Sequence, residues 1–144
     1  MDFKSDLGPR AGVTIQSLFS EYPGQIRLVV FNFPTETDTE SQKAAEAFEC
    51  ADDQGLAFKM EEKMLGNNDD LSIGMLKVFA SEIGLNRPRF DRCLDNGEKI
   101  NEISMQKQVG LDNGVNVTPT FFIKGRKLEG SPSLTVFSQI IESD

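Results

Sequence analysis

Histidine and tryptophan are absent from these 144 residues, tyrosine occurs once and cysteine twice. Without histidine the chain lacks the commonest general base and transition-metal ligand, and any Ser/His or Cys/His nucleophile pair. The two cysteines, Cys50 and Cys93, are too few for a four-ligand zinc site and too distant for a C-x-x-C motif. No apolar run approaches the roughly 18 residues of a membrane helix, so no membrane insertion is expected. The first ten residues carry Asp2, Lys4, Asp6 and Arg10, which does not read as a signal peptide.

Positive charge is also scarce. Lys and Arg number 15 against 23 Asp and Glu, a net charge of −8, and the basic residues are scattered. Phosphate recognition needs concentrated positive charge, which argues against nucleic acid and anionic membranes as partners. The acidity reads as a solubility feature. The acidic groups Glu36/Asp38/Glu40 and Asp69/Asp70 lack the glycine and terminal bidentate Glu of an EF-hand loop. They read as solvated loops, and neither a metal nor a cofactor is expected.

What is present fits one α/β domain over residues 1–144, with 38% apolar content to bury a single core. Residues 14–21 read as a helix with Ile15, Leu18 and Phe19 on one side, stopped by Tyr22-Pro23-Gly24. Residues 26–31, Ile-Arg-Leu-Val-Val-Phe, read as a short buried strand. Helices follow over 40–53, from there to about residue 65, from Ser72, over 87–95 with Asn86 as cap, and over 100–111. The period then changes. Residues 119–123 read as a strand, Lys124-Gly125 as a tight turn, and 126–129 as the returning strand of a hairpin. Ser131-Pro132-Ser133 opens a last helix carrying Leu134, Val136, Phe137, Ile140 and Ile141. Phe121-Phe122 and Phe31-Asn32-Phe33 read as core packing rather than an aromatic binding box.

This order, and several of its segments, resemble the DsbA-like branch of the thioredoxin superfamily. The strongest segment is Gly114-Val115-Asn116-Val117-Thr118-Pro119-Thr120-Phe121-Phe122-Ile123; Tyr22-Pro23-Gly24-Gln25-Ile26-Arg27-Leu28-Val29, Gln42-Lys43-Ala44-Ala45-Glu46-Ala47 and Phe90-Asp91-Arg92-Cys93-Leu94 add to it. The resemblance implies a thioredoxin-like fold with a helical insertion over about 40–113, and a cis proline at Thr118-Pro119 beside the redox site. It also implies an extracytoplasmic, periplasmic-type setting.

Members of that branch often read Asp-Phe-x-Cys-Pro-x-Cys-x-Arg-Ala where the first helix starts. Here the run is Asp2-Phe3-Lys4-Ser5-Asp6-Leu7-Gly8-Pro9-Arg10-Ala11, which places Ser5 and Gly8 at the two cysteine positions. A serine hydroxyl has a far higher pKa than a thiol and forms no disulfide, and glycine has no nucleophile. No catalytic residue is therefore assigned, and the expected role is a redox-inactive domain whose groove holds an extended peptide or protein partner. Thr118 and Pro119 are either a peptide-binding bend or a structural turn. By the same resemblance Cys50 and Cys93 occupy non-catalytic positions that some members bridge; the other reading is two buried thiols. Two further readings stay open: a divergent thiol-disulfide oxidoreductase using Cys50 or Cys93, and a domain of a larger membrane-anchored redox protein. The branch also carries a central strand ahead of the Asp-Phe segment, which is almost absent here. A partner, including a second copy of the chain, could pair with the strand-deficient sheet.

Overall fold

The computed structural model describes residues 1–143. Seven helices and one hairpin follow in the order α1 (Gly8–Glu21), α2 (Thr39–Asp52), α3 (Ala57–Gly66), α4 (Ile73–Glu82), α5 (Arg87–Asp95), α6 (Ile100–Asp112), β1 (Thr120–Ile123), β2 (Arg126–Glu129) and α7 (Leu134–Glu142). Local chemistry explains most boundaries. Asp38 caps α2 by accepting from the Glu40 and Ser41 N–H groups. Ser72, Asn86 and Ser133 cap α4, α5 and α7 in the same way. The hairpin turn is Lys124-Gly125, with both φ values positive at 47° and 75°, as a two-residue type I′ turn requires. Helix α1 starts at Gly8, six residues earlier than the apolar spacing indicates, because Pro9 is pre-set for a first helical turn.

The helices from α2 to α5 enclose the larger core. Helix α2 is its hub and packs against α3, α4, α5 and α6. The alanines Ala44, Ala47 and Ala51 are fully buried and let neighbouring helices approach closely. Phe3, Phe48, Met60, Leu76 and Phe90 fill the space between. A smaller cluster joins Leu18 of α1 and Tyr22, just past its end, to Phe137 of α7, with Phe121, Ile123 and Leu128 of the hairpin against it. Phe121 and Phe137 meet edge to face at 5.1 Å.

One expected strand does not form. Residues 26–31 run without strand pairing, and the only sheet is the antiparallel β1–β2 pair among the described residues. The run is apolar enough for a buried strand but has no neighbouring strand along it. Arg27, Val29 and Phe31 are accordingly exposed. Only its far end is bonded, where the Met1 nitrogen donates to Phe31 O and the Phe33 N–H donates to Met1 O, both at 2.7 Å. The core reading of the phenylalanines is also corrected at two positions. Phe31 and Phe122 are 48% and 54% exposed, because both lie along this unpaired region.

Candidate functional site

Ser5 sits in the turn that leads into α1. Its carbonyl accepts from the Gly8 N–H at 2.9 Å and its N–H donates to Asp2 O at 3.1 Å. Asp2 anchors this turn from inside. It is buried, and its carboxylate accepts from Ser41 Oγ at 2.6 Å, from Thr35 N and Oγ1 at 3.1 and 2.9 Å, and from Lys4 N at 3.0 Å. Lys4 ties the turn to the α3–α4 loop. Its ammonium donates to Asn68 O and Asp69 O and pairs with Glu40 at 2.8 Å. The hydrogen bond to Glu40 raises the Lys4 pKa and lowers that of Glu40, as expected for mutual stabilisation of charge.

The Ser5 hydroxyl faces the second part of the site. It donates to Thr118 O at 2.7 Å across 113 residues of sequence, and accepts from the Leu7 N–H at 3.4 Å. The Thr118-Pro119 peptide is cis. Pro119 is fully buried, and its carbonyl accepts from the Gly130 N–H at 2.8 Å. Thr120 Oγ1 closes the bend by donating to Val117 O at 2.6 Å. Beside Thr118 lies a shallow cavity of about 300 Å³ lined by Phe33, Pro34, Thr35, Glu36, Lys107 and Val117, among others. Lys107 stands over the Phe33 ring at 5.3 Å and donates to Pro34 O at 2.8 Å.

Gly8 begins α1 with its backbone buried. A Cβ at this position would come within 3.0 Å of Leu65 Cδ2, so a side chain here requires that methyl to move. A helix N-terminus favours negative charge, yet the atom presented by Ser5 is a hydroxyl already bonded on both sides. No sulfur stands at this site; both cysteines are in the larger core.

The two sulfurs lie elsewhere. Cys50 of α2 and Cys93 of α5 are joined in a disulfide with Cα atoms 6.0 Å apart, and both are buried in the larger core. No group of three or more Cys, Asp or Glu placed to hold a metal ion occurs among the described residues. Of the acidic residues read as loop, Asp38 caps α2, and Glu40 lies in the first turn of that helix, where it pairs with Lys4.

Two features escape sequence reading. The first is a polar knot inside the fold. Asn32 Nδ2 donates to Glu49 Oε1 at 2.7 Å and to Gln106 Oε1 at 2.9 Å, and Gln106 Nε2 donates to Glu49 Oε1 at 2.9 Å. Burial pushes the Glu49 carboxyl up to about 7. The sequence signal is slight: one asparagine between two phenylalanines in an otherwise apolar run. The second is a cleft of about 590 Å³ between residues 27–33 and β1, reaching Glu61. Burial pushes Glu61 to about 7 as well, and its Oε2 has no partner among the described residues.

Comparison with known proteins agrees with this fold. The sequence model of the family described as Thioredoxin matches residues 10–143. Among curated proteins the chain is 28% identical over 143 residues to the Na(+)/H(+) antiporter NhaA 3 of Salinispora tropica, and 30% identical over 145 residues to NhaA 1 of Salinispora arenicola. Each match takes in 99% of this chain and 22% of the relative, so the chain spans about a fifth of the length of these proteins. Among solved structures, the thiol-disulfide exchange protein alpha-DsbA2 from Wolbachia pipientis superposes with a TM-score of 0.88 at 20% identity, over 99% of this chain and 77% of that one. A thioredoxin-like oxidoreductase from Silicibacter pomeroyi DSS-3 gives 0.88 at 22% identity, over 99% and 81%. At these identities the likeness speaks for the fold. No helix among the described residues is long and apolar enough to cross a membrane.

Proposed function

The chain belongs to the thioredoxin family, and from that premise we propose that it is a DsbA-like domain that does no dithiol chemistry and instead holds an extended peptide or protein partner at the bend formed by Ser5, Thr118 and Pro119. The observation that carries this reading is the 2.7 Å hydrogen bond from Ser5 Oγ to Thr118 O. A hydroxyl occupies the place beside the bend where a family nucleophile would stand, and Gly8 supplies no resolving group. The backbone N–H groups of Asn116, Val117 and Thr118 have no protein acceptor among the described residues, so they are open to a peptide carbonyl.

Insulin reduction by dithiothreitol tests the first half. The chain is expected to leave the uncatalysed rate unchanged, whereas the Ser5→Cys/Gly8→Cys double variant gains activity once Leu65 yields to the new side chain. Catalysis by the unmodified chain that Cys50→Ser abolishes would overturn the reading in favour of a divergent oxidoreductase. The burial of Cys50 and Cys93 argues against that outcome, because exchange needs in-line access of a thiolate to sulfur.

The relatives favour a second reading of the setting. A match of nearly the whole chain to about a fifth of two antiporters supports a role as an accessory domain of a larger membrane protein. Its test is the expression product in the native cell: a membrane-bound species larger than 16.0 kDa on immunoblotting supports it, and a free 16.0 kDa protein opposes it.

A further inference from the structure

We propose that the cavity beside Thr118 is a carboxylate subsite, which takes an acidic group of the bound polypeptide against the Lys107 ammonium and displaces the Glu36 carboxylate from it. This rests on the reading of the Ser5, Thr118 and Pro119 bend as a peptide site, and names the chemistry that site selects.

The two walls of the cavity come from distant parts of the chain. Residues 33–37, ahead of α2, form one; Lys107 of α6 and residues 116–118, which lead into the cis bend, form the other. Its volume of about 300 Å³ is on the scale of one side chain, not of a second segment of chain. The polar groups of these walls are unequally spent. The carbonyls of Pro34, Thr35, Val117 and Thr118 already accept, from Lys107 Nζ, the Asp38 N–H, Thr120 Oγ1 and Ser5 Oγ respectively. The N–H groups of Asn116, Val117 and Thr118 have no protein acceptor among the described residues. An extended peptide bonds to alternate main-chain groups, so it leaves at least one of these N–H groups unused. The unspent capacity calls for an acceptor.

Lys107 gives that acceptor its sign. The Lys107 side chain is only 17% exposed, and its ammonium is held by Pro34 O at 2.8 Å and lies over the Phe33 ring at 5.3 Å. Neither group neutralises it. Its carboxylate partner among the described residues is Glu36 at 3.3 Å, whose side chain is 78% exposed. A fixed cation with a loose, solvated counter-ion exchanges that ion readily, because so exposed a pair contributes little. Glu36 thus marks the class of group the position accepts. A ligand carboxylate that reaches Lys107 and a free N–H group together makes two charge-assisted bonds and outcompetes it. An acidic side chain and a terminal carboxylate share this chemistry. The net charge of −8 opposes acidic ligands over long range, but salt screens that repulsion more than it screens a direct contact.

The test uses the full chain, ¹⁵N-labelled, titrated at physiological salt with the capped peptide GSVDVSG, its counterparts GSVNVSG and GSVKVSG, and GSVN with its terminal carboxylate either free or capped. The expected result is a Kd about tenfold or more lower for the Asp peptide than for the Asn peptide, with amide shifts at Phe33, Lys107 and Val117. Lys107→Gln is expected to bring these two peptides within about twofold of each other, and Lys107→Arg to keep most of the preference. Glu36→Gln, at an exposed position, is expected to tighten the Asp peptide severalfold, because a competitor is gone. Preference for the free over the capped GSVN terminus, without preference for Asp over Asn, supports the subsite and assigns it to chain ends. Equal affinity for all the peptides, with shifts at Ser5, Val117 and Thr118, overturns the subsite and leaves the bend as a peptide site. Preference for the Lys peptide also overturns it, with Glu36 as the recognising group. Binding of none of them at millimolar concentration overturns the subsite and the bend reading together.

Discussion

Helices α2–α5 bury Met60, Leu76, Ala80 and Phe90 completely, whereas residues 26–31, a short distance away in the same fold, leave Val29 and Phe31 at 62% and 48% exposure. Both regions are apolar in sequence. The difference is that the helices satisfy their own backbone and need only side-chain neighbours, while an extended run must find main-chain partners on both sides before it can be buried. Apolar composition thus sets what can be buried, and backbone pairing decides what is.

The sharpest way to break this comparison is to open the helical core. Phe90 has no exposed surface, and Phe90→Ala removes a whole ring from between closely packed helices. The expected loss is about 3–5 kcal/mol, read as a lower urea midpoint at unchanged slope. The disulfide comes next. Cys50 and Cys93 close a separation of 43 residues, so the Cys50→Ala/Cys93→Ala variant is expected to lose about 2–4 kcal/mol through a less constrained unfolded chain. Its unmodified counterpart in reductant is expected to match it. A loss well below 1 kcal/mol in the double variant would show that the helices hold without the bridge.

The seam between the two regions responds to pH. Glu49 of α2 reaches the extended run through Asn32 and α6 through Gln106. In the folded chain it keeps its proton up to about pH 7, against an ordinary value of 4.5. The folded state therefore binds more protons than the unfolded state between these values. The corresponding stability is full below about pH 4.5 and is lost as pH rises through 7. Melting temperatures at pH 5 and pH 8 are expected to fall further apart in the unmodified chain than in Glu49→Gln, which cannot ionise. The raised Glu61 carboxyl is common to both proteins and cancels in the difference.

The same contrast explains what the sequence made legible. Helix starts were readable because Ser72, Asn86 and Ser133 act on N–H groups within three residues. The hairpin was readable because Lys124-Gly125 fits one turn type. The juxtaposition of Ser5 with Thr118 is not a local property; it spans 113 residues and came only through resemblance to a family. The Glu49–Asn32–Gln106 knot left almost no trace, since each member is an ordinary polar residue on its own element. Residues 26–31 were misread for a related reason. Their composition is that of a buried strand, and composition does not report whether neighbours exist.

The mildest substitution bears most directly on that misreading. In a buried parallel strand, loss of two methyl groups from a valine costs on the order of 1–3 kcal/mol. Val29 is 62% exposed and its backbone N–H is unbonded among the described residues. Val29→Ala is therefore expected to change stability by no more than about 0.5 kcal/mol, the range of surface sites. A loss of more than about 1 kcal/mol by chemical denaturation would instead place residue 29 among packed positions.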